Sequence, residues 1–290
     1  MTRLTHMRFY GVTTPFPRES ATSWLQRVCQ QYDMSLSTFL AFVDGEKRRI
    51  RDVDMALAPR HYPRLAELCG IQLECFDLMR RSLGRCSLRR GLRPLLAFGE
   101  KRRPAYGFCP LCWRDDKIPY LRIEWRFEHW RICLAHRTRM SSRCMACHSP
   151  LQIHCSILGG AGTVMPSLAH CFKCGFDLRH NIVPAAVDRS DNVASLVRAQ
   201  IAIVSAVTHG YIHIAGYGDR RFEIDLLARW MKSGLPEVAD APGEGIADLE
   251  LRAGTFVPPV TPFWELLAAE QVPTPLMNGA WPLVSHQKCS

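Results

Sequence analysis

Residues 108–147 read FCPLCWRDDKIPYLRIEWRFEHWRICLAHRTRMSSRCMAC, and CFKC follows at residues 171–174. These stretches contain four pairs of metal-ligand residues, each with two residues between its members. The pairs are Cys109 and Cys112, Cys133 and His136, Cys144 and Cys147, and Cys171 and Cys174. A turn of this spacing aims two ligands at one ion, and two such turns complete a tetrahedral zinc shell. The pattern therefore predicts two structural Zn2+ ions per chain, with no coordination position left for a catalytic water.

The distances between the pairs favour sequential grouping. Twenty residues separate Cys112 from Cys133, and twenty-three separate Cys147 from Cys171, which is enough in each case for a hairpin that brings its ends together. The first site would then contain three cysteines and one histidine, and the second would contain four cysteines. The alternative is the interleaved arrangement of a RING domain. RING domains keep the histidine and the next cysteine closer than the seven residues found here between His136 and Cys144.

A disulfide framework or ordinary buried thiols are the alternatives to zinc. The N-terminal segment MTRLTHMRFYGVTTPFPRES contains charges but no apolar core of signal-peptide length. No segment approaches the roughly 20 apolar residues that a membrane span needs. These features predict a protein of the reducing cytoplasm, where such pairs bind metal more often than they form disulfides.

The composition is that of a folded, basic protein. The 290 residues are 47% hydrophobic and carry a net charge of +10, and this length suits about two domains. The charge is uneven, because seven acidic and only two basic residues lie from Gly234 onward, so that the first 233 residues carry +15. This asymmetry indicates an anionic partner for the N-terminal part.

The densest positive charge lies between Met79 and Arg103, and we call its nine basic residues the basic strip. They are Arg80, Arg81, Arg85, Arg89, Arg90, Arg93, Lys101, Arg102 and Arg103. The planar guanidinium group suits phosphate, so the strip predicts contact with nucleic acid. The alternatives are a solvated linker without a specific partner and a charge balance for the zinc thiolates.

The N-terminal part contains a repeat with a period of 37 residues. Its two copies are Cys29-x3-Asp33-Met34-x4-Phe39 and Ala66-x3-Gly70-Ile71-x4-Phe76. Each copy has the outline of a helix-turn-helix, and apolar residues at helical spacing around both turns predict two helical hairpins. The second helices offer few side chains that suit base edges, so a packed protein-binding module is an equal alternative to a DNA reader.

Aromatic residues alternate with arginines between the first two ligand pairs. The aromatic residues are Tyr120, Trp125, Phe127 and Trp130, and the arginines are Arg122, Arg126 and Arg131. Such a pattern can form a stacking surface for nucleic acid. The interpretation we favour is the core of a zinc-stapled hairpin that is too small to bury much else.

The C-terminal part is predicted to be helical and then irregular. Apolar residues at helical spacing predict one helix over residues 193–207 and another over residues 222–231. From residue 236 to 282, eight of the nineteen prolines lie among acidic residues. This composition opposes regular structure and predicts a loose acidic tail.

Two classes of enzyme are excluded by the motifs they require. A zinc deaminase needs His-x-Glu ahead of Pro-Cys-x-x-Cys and an open coordination position. A P-loop nucleotide hydrolase needs a glycine-rich loop that ends in Lys-Ser or Lys-Thr. Neither motif occurs in the chain. We therefore expect a non-catalytic protein that depends on a partner for any ATP hydrolysis.

Several motifs in combination resemble the TniQ family of transposition proteins, over roughly residues 10 to 180. They are Pro15-Phe16-Pro17-Arg18-Glu19-Ser20, Ser23-Trp24-Leu25, Phe108-Cys109-Pro110-Leu111-Cys112, Asp115-Asp116, Pro119-Tyr120-Leu121-Arg122, Trp125, Cys133-x2-His136 and Cys171-x2-Cys174-Gly175-x-Asp177-Leu178. The family's zinc ligands correspond to the eight residues named above. The resemblance also implies a bacterial, nucleoid-associated protein.

The resemblance implies an adaptor for target-site selection in transposons whose transposase is regulated by an AAA+ ATPase of the TnsC or TniB type. Such adaptors recruit the ATPase to a chosen DNA site. Some relatives recognise DNA themselves and others dock on a CRISPR effector complex, so both remain open as partners, as does a homodimer. The alternatives are a sequence-specific DNA-binding regulator that acts alone and a RING-like interaction scaffold.

Together these features predict a mainly α fold with small β-hairpin modules of the zinc-ribbon kind. The expected parts are a helical module with two helix-turn-helix-like copies (1–85), a basic connector (86–107), tandem zinc-binding modules (108–180), a helical C-terminal part (185–235) and a Pro-rich acidic tail (236–290).

Overall fold

A computed structural model describes residues 8–45, 50–99, 102–151, 167–182, 191–212 and 222–225. Most of the regular structure in this part of the chain is helical. The α-helices are α1 (Ala21–Gln31), α2 (Leu36–Asp44), α3 (Val53–Ala56), α4 (Tyr62–Cys69), α5 (Asp77–Arg81), α6 (Leu83–Leu88), α7 (Pro110–Asp115) and α8 (Asp191–His209). Short 3-10 helices lie at Pro59–His61, Leu73–Phe76, Arg90–Leu95, Ile123–Arg126 and Leu178–His180. An antiparallel pair of strands is formed by β1 (Tyr211–Ile212) and β2 (Phe222–Glu223). No helix among the described residues combines the length and the apolarity needed to cross a bilayer.

Helices α1 and α2 form the first helical hairpin. The Ser20 hydroxyl caps α1 by accepting a hydrogen bond from the N–H of Ser23, and Ser35 caps α2 in the same way through the N–H of Thr38. Both serines thus satisfy a backbone donor that has no partner within its own helix. Asp33 makes the turn between the helices with a φ of 46°.

The predicted repeat appears as a repeated turn geometry. Gly70 has a φ of 63° at the position that matches Asp33. In each copy, the N–H of the residue after the turn residue donates to the carbonyl five positions earlier. These bonds run from Met34 to Cys29 and from Ile71 to Ala66, both at 3.0 Å. The 37-residue period therefore corresponds to the same way of ending a helix.

The two copies differ after the turn. The first continues into the regular helix α2, whereas the second passes through the 3-10 helix Leu73–Phe76 into the short helix α5. The apolar anchors Phe39 and Phe76 are nevertheless both fully buried. The repeat thus preserves the turn and the core contact, but not a continuous second helix.

One hydrophobic core runs through the helical part and the cysteine-rich part. The segment predicted as a basic connector contributes Leu92, Leu95 and Tyr106 to this core, each of which is buried. The segment between α6 and residue 99 is therefore packed against the rest of the protein, with its leucines in the core. The division into domains at residues 85 and 107 stays a prediction.

Helix α8 docks on the cysteine-rich part through Gln200, which is 1% exposed. The Gln200 side-chain oxygen accepts hydrogen bonds from the N–H groups of Arg131 and Ile132, both at 3.0 Å. Its Nε2 donates to the carbonyl of Ile132 at 2.8 Å. One amide side chain thus bonds to the backbone of this segment as a neighbouring strand would.

The predictions for the C-terminal part have mixed outcomes. Helix α8 includes the predicted helix over residues 193–207. Phe222 and Glu223 form strand β2, and the chain becomes helical at Ile224 and Asp225, two residues later than the predicted start of the second helix. The remainder of that helix beyond residue 225 and the predicted tail lie outside the described residues.

A buried ionic cluster joins the helical part to the segment between the first two ligand pairs. The fully buried Arg126 guanidinium lies 2.6 Å from the Asp52 carboxylate and 3.9 Å from that of Asp54. Asp54 is also fully buried, and it accepts hydrogen bonds from the N–H of Thr22 at 3.0 Å and from the Tyr106 hydroxyl. Burial, followed by the negative charge of Asp52, raises the pKa of Asp54. The cluster therefore depends on the single cation of Arg126.

Replacing Arg126 with methionine should lower the free energy of unfolding by about 3 to 5 kcal/mol, because it leaves two carboxylates without their cation in the interior. Urea unfolding at neutral pH measures this cost. The control is Arg131→Met, which removes an exposed pair with Glu128 and should cost less than about 1 kcal/mol. Similar losses for the two variants would contradict the role assigned to Arg126.

Candidate metal centres and the basic strip

The first ligand set converges on one point. The ligand atoms of Cys109, Cys112, Cys133 and His136 all lie within 4.8 Å of one another. The Sγ atoms of Cys112 and Cys133 are 3.5 Å apart, and His136 Nδ1 lies 3.3 to 3.6 Å from the three sulfurs. Tetrahedral zinc requires separations of about 3.8 Å between two sulfurs and about 3.6 Å between sulfur and nitrogen. The cluster thus has the dimensions of a zinc site.

Two different local structures supply these ligands. Cys109 lies just before α7 and Cys112 lies in its first turn, so the start of this helix presents both sulfurs on one side. Cys133 and His136 lie in a tight turn, in which the N–H of Arg137 donates to the Cys133 carbonyl at 2.8 Å. Arg137 has a φ of 52°, the left-handed conformation that ends the turn.

The turn at Cys133 occurs twice more, and we call it the knuckle turn. In each copy the fifth residue has a positive φ, and its N–H donates to the carbonyl of the first. The N–H of the first residue donates in turn to the carbonyl five positions later. The fifth residues are Arg137 (52°), His148 (55°) and Gly175 (73°). Three of the four ligand pairs are therefore presented by the same backbone structure.

Two knuckle turns form the second cluster, from Cys144, Cys147, Cys171 and Cys174. Its sulfurs also lie within 4.8 Å of one another, with 3.7 Å between Cys144 and Cys174 and 3.6 Å between Cys147 and Cys171. This cluster lies nearer the surface than the first, because Cys174 is exposed and Cys147 is half-buried. All four residues can hold a zinc ion, as in the first cluster.

Asn181 braces the second cluster from outside. It is 4% exposed and follows the 3-10 helix Leu178–His180. Its side-chain nitrogen donates to the carbonyl of Arg143 at 2.8 Å, and its oxygen accepts from the N–H of Met145 at 3.0 Å. The two knuckle turns are thereby held together by side-chain contacts as well as by their cysteines.

A carboxylate supports the histidine of the first cluster. Asp115 Oδ2 lies 2.8 Å from His136 Nε2, on the far side of the ring from the sulfurs. A ligand histidine commonly donates its second N–H to a carboxylate, which fixes the tautomer and strengthens the metal bond. None of the sequence motifs predicts this role for Asp115. The available signal was its position in α7, one turn after Cys112.

The chemistry of both clusters is that of closed structural sites. Each offers four ligands, three of them sulfur in the first cluster and all four in the second, which suits zinc and leaves no position for a substrate. Hydrogen bonds from the thiols of Cys112 and Cys133 lower the pKa of Cys109. In return, the hydrogen bonds with Cys109 raise the pKa of Cys112 and of Cys133. The ligands group in the sequential order, and the interleaved RING arrangement is not the one they form.

The N-terminal motif at residues 15–20 is bound to the segment that precedes the knuckle turns. The N–H of Ser20 donates to the carbonyl of Leu121, and the N–H of Ile123 donates to the carbonyl of Arg18, both at 2.8 Å. Arg18 also forms an ion pair of 2.7 Å with Glu124. Residues a hundred positions apart are thus joined like two paired strands.

Glu19 is the centre of this junction, and it is 1% exposed. Its carboxylate lies 2.6 Å from Arg27 NH2 and accepts hydrogen bonds from the Ser23 hydroxyl at 2.7 Å and the N–H of Phe16 at 2.9 Å. The Ser23 oxygen accepts from the N–H of Leu121 at 3.2 Å. The motif therefore has a structural role in fixing the start of α1 against this segment.

The aromatic residues between the first two ligand pairs belong mainly to the core. Trp125, Phe127 and Trp130 are between 2% and 4% exposed, as the core interpretation predicts. Tyr120 is half-buried, and the Arg122 guanidinium lies 4.4 Å from its ring centre and 4.7 Å from that of Trp125. These rings are largely occupied by intramolecular contacts.

Four residues of the basic strip have partners within the chain. Arg80 and Arg81 lie 2.6 Å and 3.3 Å from Asp77. Arg85 donates to the carbonyl of Arg81 at 3.2 Å. Arg89 lies 2.9 Å from a carboxylate of the C-terminal part. Carboxylates therefore partly balance the charges of Arg80, Arg81 and Arg89.

The other five residues of the basic strip are either exposed or outside the described residues. Arg90, Arg93, Arg102 and Arg103 are exposed, whereas Lys101 lies outside the described residues. No acidic side chain of the described residues pairs with Arg90, Arg93 or Arg102. Burial of the leucines in the 3-10 helix Arg90–Leu95 keeps its two arginines at the surface. Contact of the strip with nucleic acid stays a prediction.

Comparison with known families identifies the region that contains the first cluster. The model of the TniQ family matches residues 12–140, which include helices α1 to α7 and the whole basic strip. This region, somewhat less than half of the chain, is a TniQ domain, a domain of proteins associated with transposition. The match ends before Cys144, and the second cluster lies beyond it. No curated protein matches the chain.

Protein purified without chelator should contain about two zinc ions per chain, because each cluster has a complete ligand set. Elemental analysis of Cys109→Ser and of Cys171→Ser should each return about one ion. The control is Cys86→Ser, which changes a buried free cysteine outside both clusters and should retain two. A zinc content near zero for the unmodified protein would contradict the assignment.

Replacing Asp115 with alanine should weaken zinc binding at the first cluster by about 10- to 100-fold, because His136 loses the acceptor that orients its ring. Competition with a chromogenic chelator measures this affinity. Glu128→Ala removes another exposed carboxylate and serves as the control. Equal affinities for the two variants would show that the contact with His136 does not support the metal.

Proposed function

We propose that the chain is a non-catalytic adaptor for target-site selection in transposition. It contacts DNA through the basic strip and recruits an AAA+ ATPase of the TnsC or TniB type. The observation that carries the DNA contact is the exposure of Arg90, Arg93 and Arg102 on a TniQ domain, without acidic partners among the described residues. The strip presents its charge from a packed segment, so binding a phosphate backbone costs little ordering of the protein.

Zinc has a structural role in this proposal. Cys109, Cys112, Cys133 and His136 would hold one ion, and Cys144, Cys147, Cys171 and Cys174 would hold the other. Bound zinc would supply folding free energy to the cysteine-rich part. The surfaces supported by the two clusters, rather than the ions, would then contact the partners.

The TniQ domain at residues 12–140 supports the ATPase as a partner, and the net charge of +15 over the first 233 residues supports DNA. Both partners are consistent with a nucleoid-associated protein of the bacterial cytoplasm. A CRISPR effector complex and a second copy of the chain are further partners that the family resemblance allows.

The second candidate is a DNA-binding regulator that acts alone. It is favoured by the repeated turn geometry at Asp33 and Gly70, which is compatible with two helix-turn-helix units. Over residues 34–44 and 71–79, which follow these turns directly, however, the exposed residues are Ser37, Gln72 and Glu74. These offer no cation to phosphate, so we assign the contact to the strip.

The double variant Arg90→Glu, Arg93→Glu should bind a duplex of mixed sequence at least about tenfold more weakly at 0.1 M salt, because two phosphate contacts are lost. Its plot of affinity against salt concentration should be shallower by about two units in logarithmic slope. Fluorescence anisotropy of a labelled duplex measures both quantities.

The matched control is Arg60→Glu. Arg60 is also an exposed arginine in a 3-10 helix, at Pro59–His61, and lies outside the strip in sequence. It should leave the salt dependence almost unchanged. Equal effects of the two charge reversals would show that net charge, rather than the strip, determines binding.

The adaptor and the lone regulator differ in a second experiment. An adaptor should co-purify with the ATPase encoded beside it and show little sequence preference alone. A lone regulator should instead protect a defined sequence in footprinting without any partner. A sequence-specific footprint with no capture of the ATPase would overturn the adaptor proposal.

A further inference from the structure

The C-terminal part brings carboxylates onto the basic strip. Asp225 lies 2.9 Å from the Arg89 guanidinium, and Glu223 lies 3.8 Å from the same group. A methyl group placed on Gly91 would lie only 3.2 Å from the Asp225 carboxylate. The chain at residue 225 is therefore adjacent to the start of the 3-10 helix that carries Arg90 and Arg93.

The sequence beyond this contact is strongly acidic. Between residues 237 and 250 there are five carboxylates and no basic residue. They are Glu237, Asp240, Glu244, Asp248 and Glu250. Only eleven residues separate Asp225 from the first of them, and such a stretch can span at most about 40 Å. This reach is much longer than the separation of Arg90 and Arg93, which are about 6 Å apart along a 3-10 helix.

We propose that the acidic segment 237–250 binds Arg90 and Arg93 of its own chain and competes with DNA for them. The inference rests on the proposed function, because it concerns the same arginines. A carboxylate is a natural competitor of phosphate, since both accept paired hydrogen bonds from a guanidinium group. The contact of Asp225 with Arg89 holds the acidic segment near the strip, which gives it a high effective concentration there.

This arrangement makes DNA binding conditional. DNA has to displace the acidic segment before its phosphates reach Arg90 and Arg93. A partner that captures the segment would free the strip and strengthen DNA binding through the same equilibrium. Salt weakens both contacts, because both are made by exposed charges.

The test uses the full chain with the five carboxylates replaced by their amides, Glu to Gln and Asp to Asn. An exposed ion pair changes an equilibrium by roughly a factor of three, so the loss of the pairs with two arginines should make this neutral-tail variant bind the labelled duplex about tenfold more tightly than the unmodified chain. A general loss of negative charge would also tighten binding, and the cycle with Arg90→Glu, Arg93→Glu separates the two causes. In that background the amide substitutions should change the affinity less than about twofold. A tenfold gain in both backgrounds would overturn the proposal.

A direct measurement completes the test. A fluorescent peptide of residues 236–251 should bind the neutral-tail protein and lose binding when Arg90 and Arg93 are reversed, but not when Arg60 is reversed. If DNA binding depends on Arg90 and Arg93 while the peptide does not bind, the competition proposal is wrong and the proposed function stands. If the peptide binds these arginines while no variant binds DNA, the docking stands, and both the proposed DNA contact and the competition with it fail.

Discussion

Each set of four ligand side chains must converge within 4.8 Å, and much of the structure follows from this convergence. In the first cluster, the start of α7 lies beside the knuckle turn at Cys133. The twenty residues between Cys112 and Cys133 must therefore fold back so that their two ends are adjacent. That closed segment contains Trp125 and Phe127, whose burial joins it to the common core. It also carries Arg126, which reaches Asp52 in the helical part. Convergence of the four ligand residues thus positions Trp125 and Phe127 in the common core and Arg126 beside Asp52 of the helical part.

The junction between residues 15–20 and 121–124 explains why one family pattern includes residues so distant in the sequence. The Glu19 carboxylate is bonded to three donors from its own part of the chain. The Ser23 oxygen accepts a hydrogen bond from the N–H of Leu121. A buried carboxylate with several donors is costly to disturb, because each lost contact leaves an unpaired group in the interior. The motif is therefore understood as the place where the start of α1 is fastened to the zinc-ligand region, rather than as a surface for recognition.

The sequence predicts the parts of this structure that depend on short spacing. The two-residue spacing of the ligand pairs and the 37-residue repeat of the turn at Asp33 and Gly70 are local patterns, and the structure contains both. Asp115 and Gln200 could not be assigned in the same way. Their partners are set by the tertiary fold. The position of Asp115 one turn after Cys112 places it beside a ligand pair, but only the approach of the turn at Cys133 brings His136 to it, and no local pattern indicates the partner of Gln200. The basic strip lies between these cases, because its charge and the local pair of Arg80 with Asp77 are visible in the sequence, whereas the pairing of Arg89 with Asp225 is not.

The docking of Gln200 also bears on how the protein avoids unwanted association. The backbone of residues 131–132 presents donors and an acceptor at the edge of a small hairpin, and such an edge is a template for strand addition from another molecule. The Gln200 side chain occupies both N–H groups and one carbonyl there. A single amide thus takes up the bonding groups that an added strand would need. Loss of α8 would leave these three backbone groups without their partner, so the helix caps the edge of the hairpin as well as packing against it.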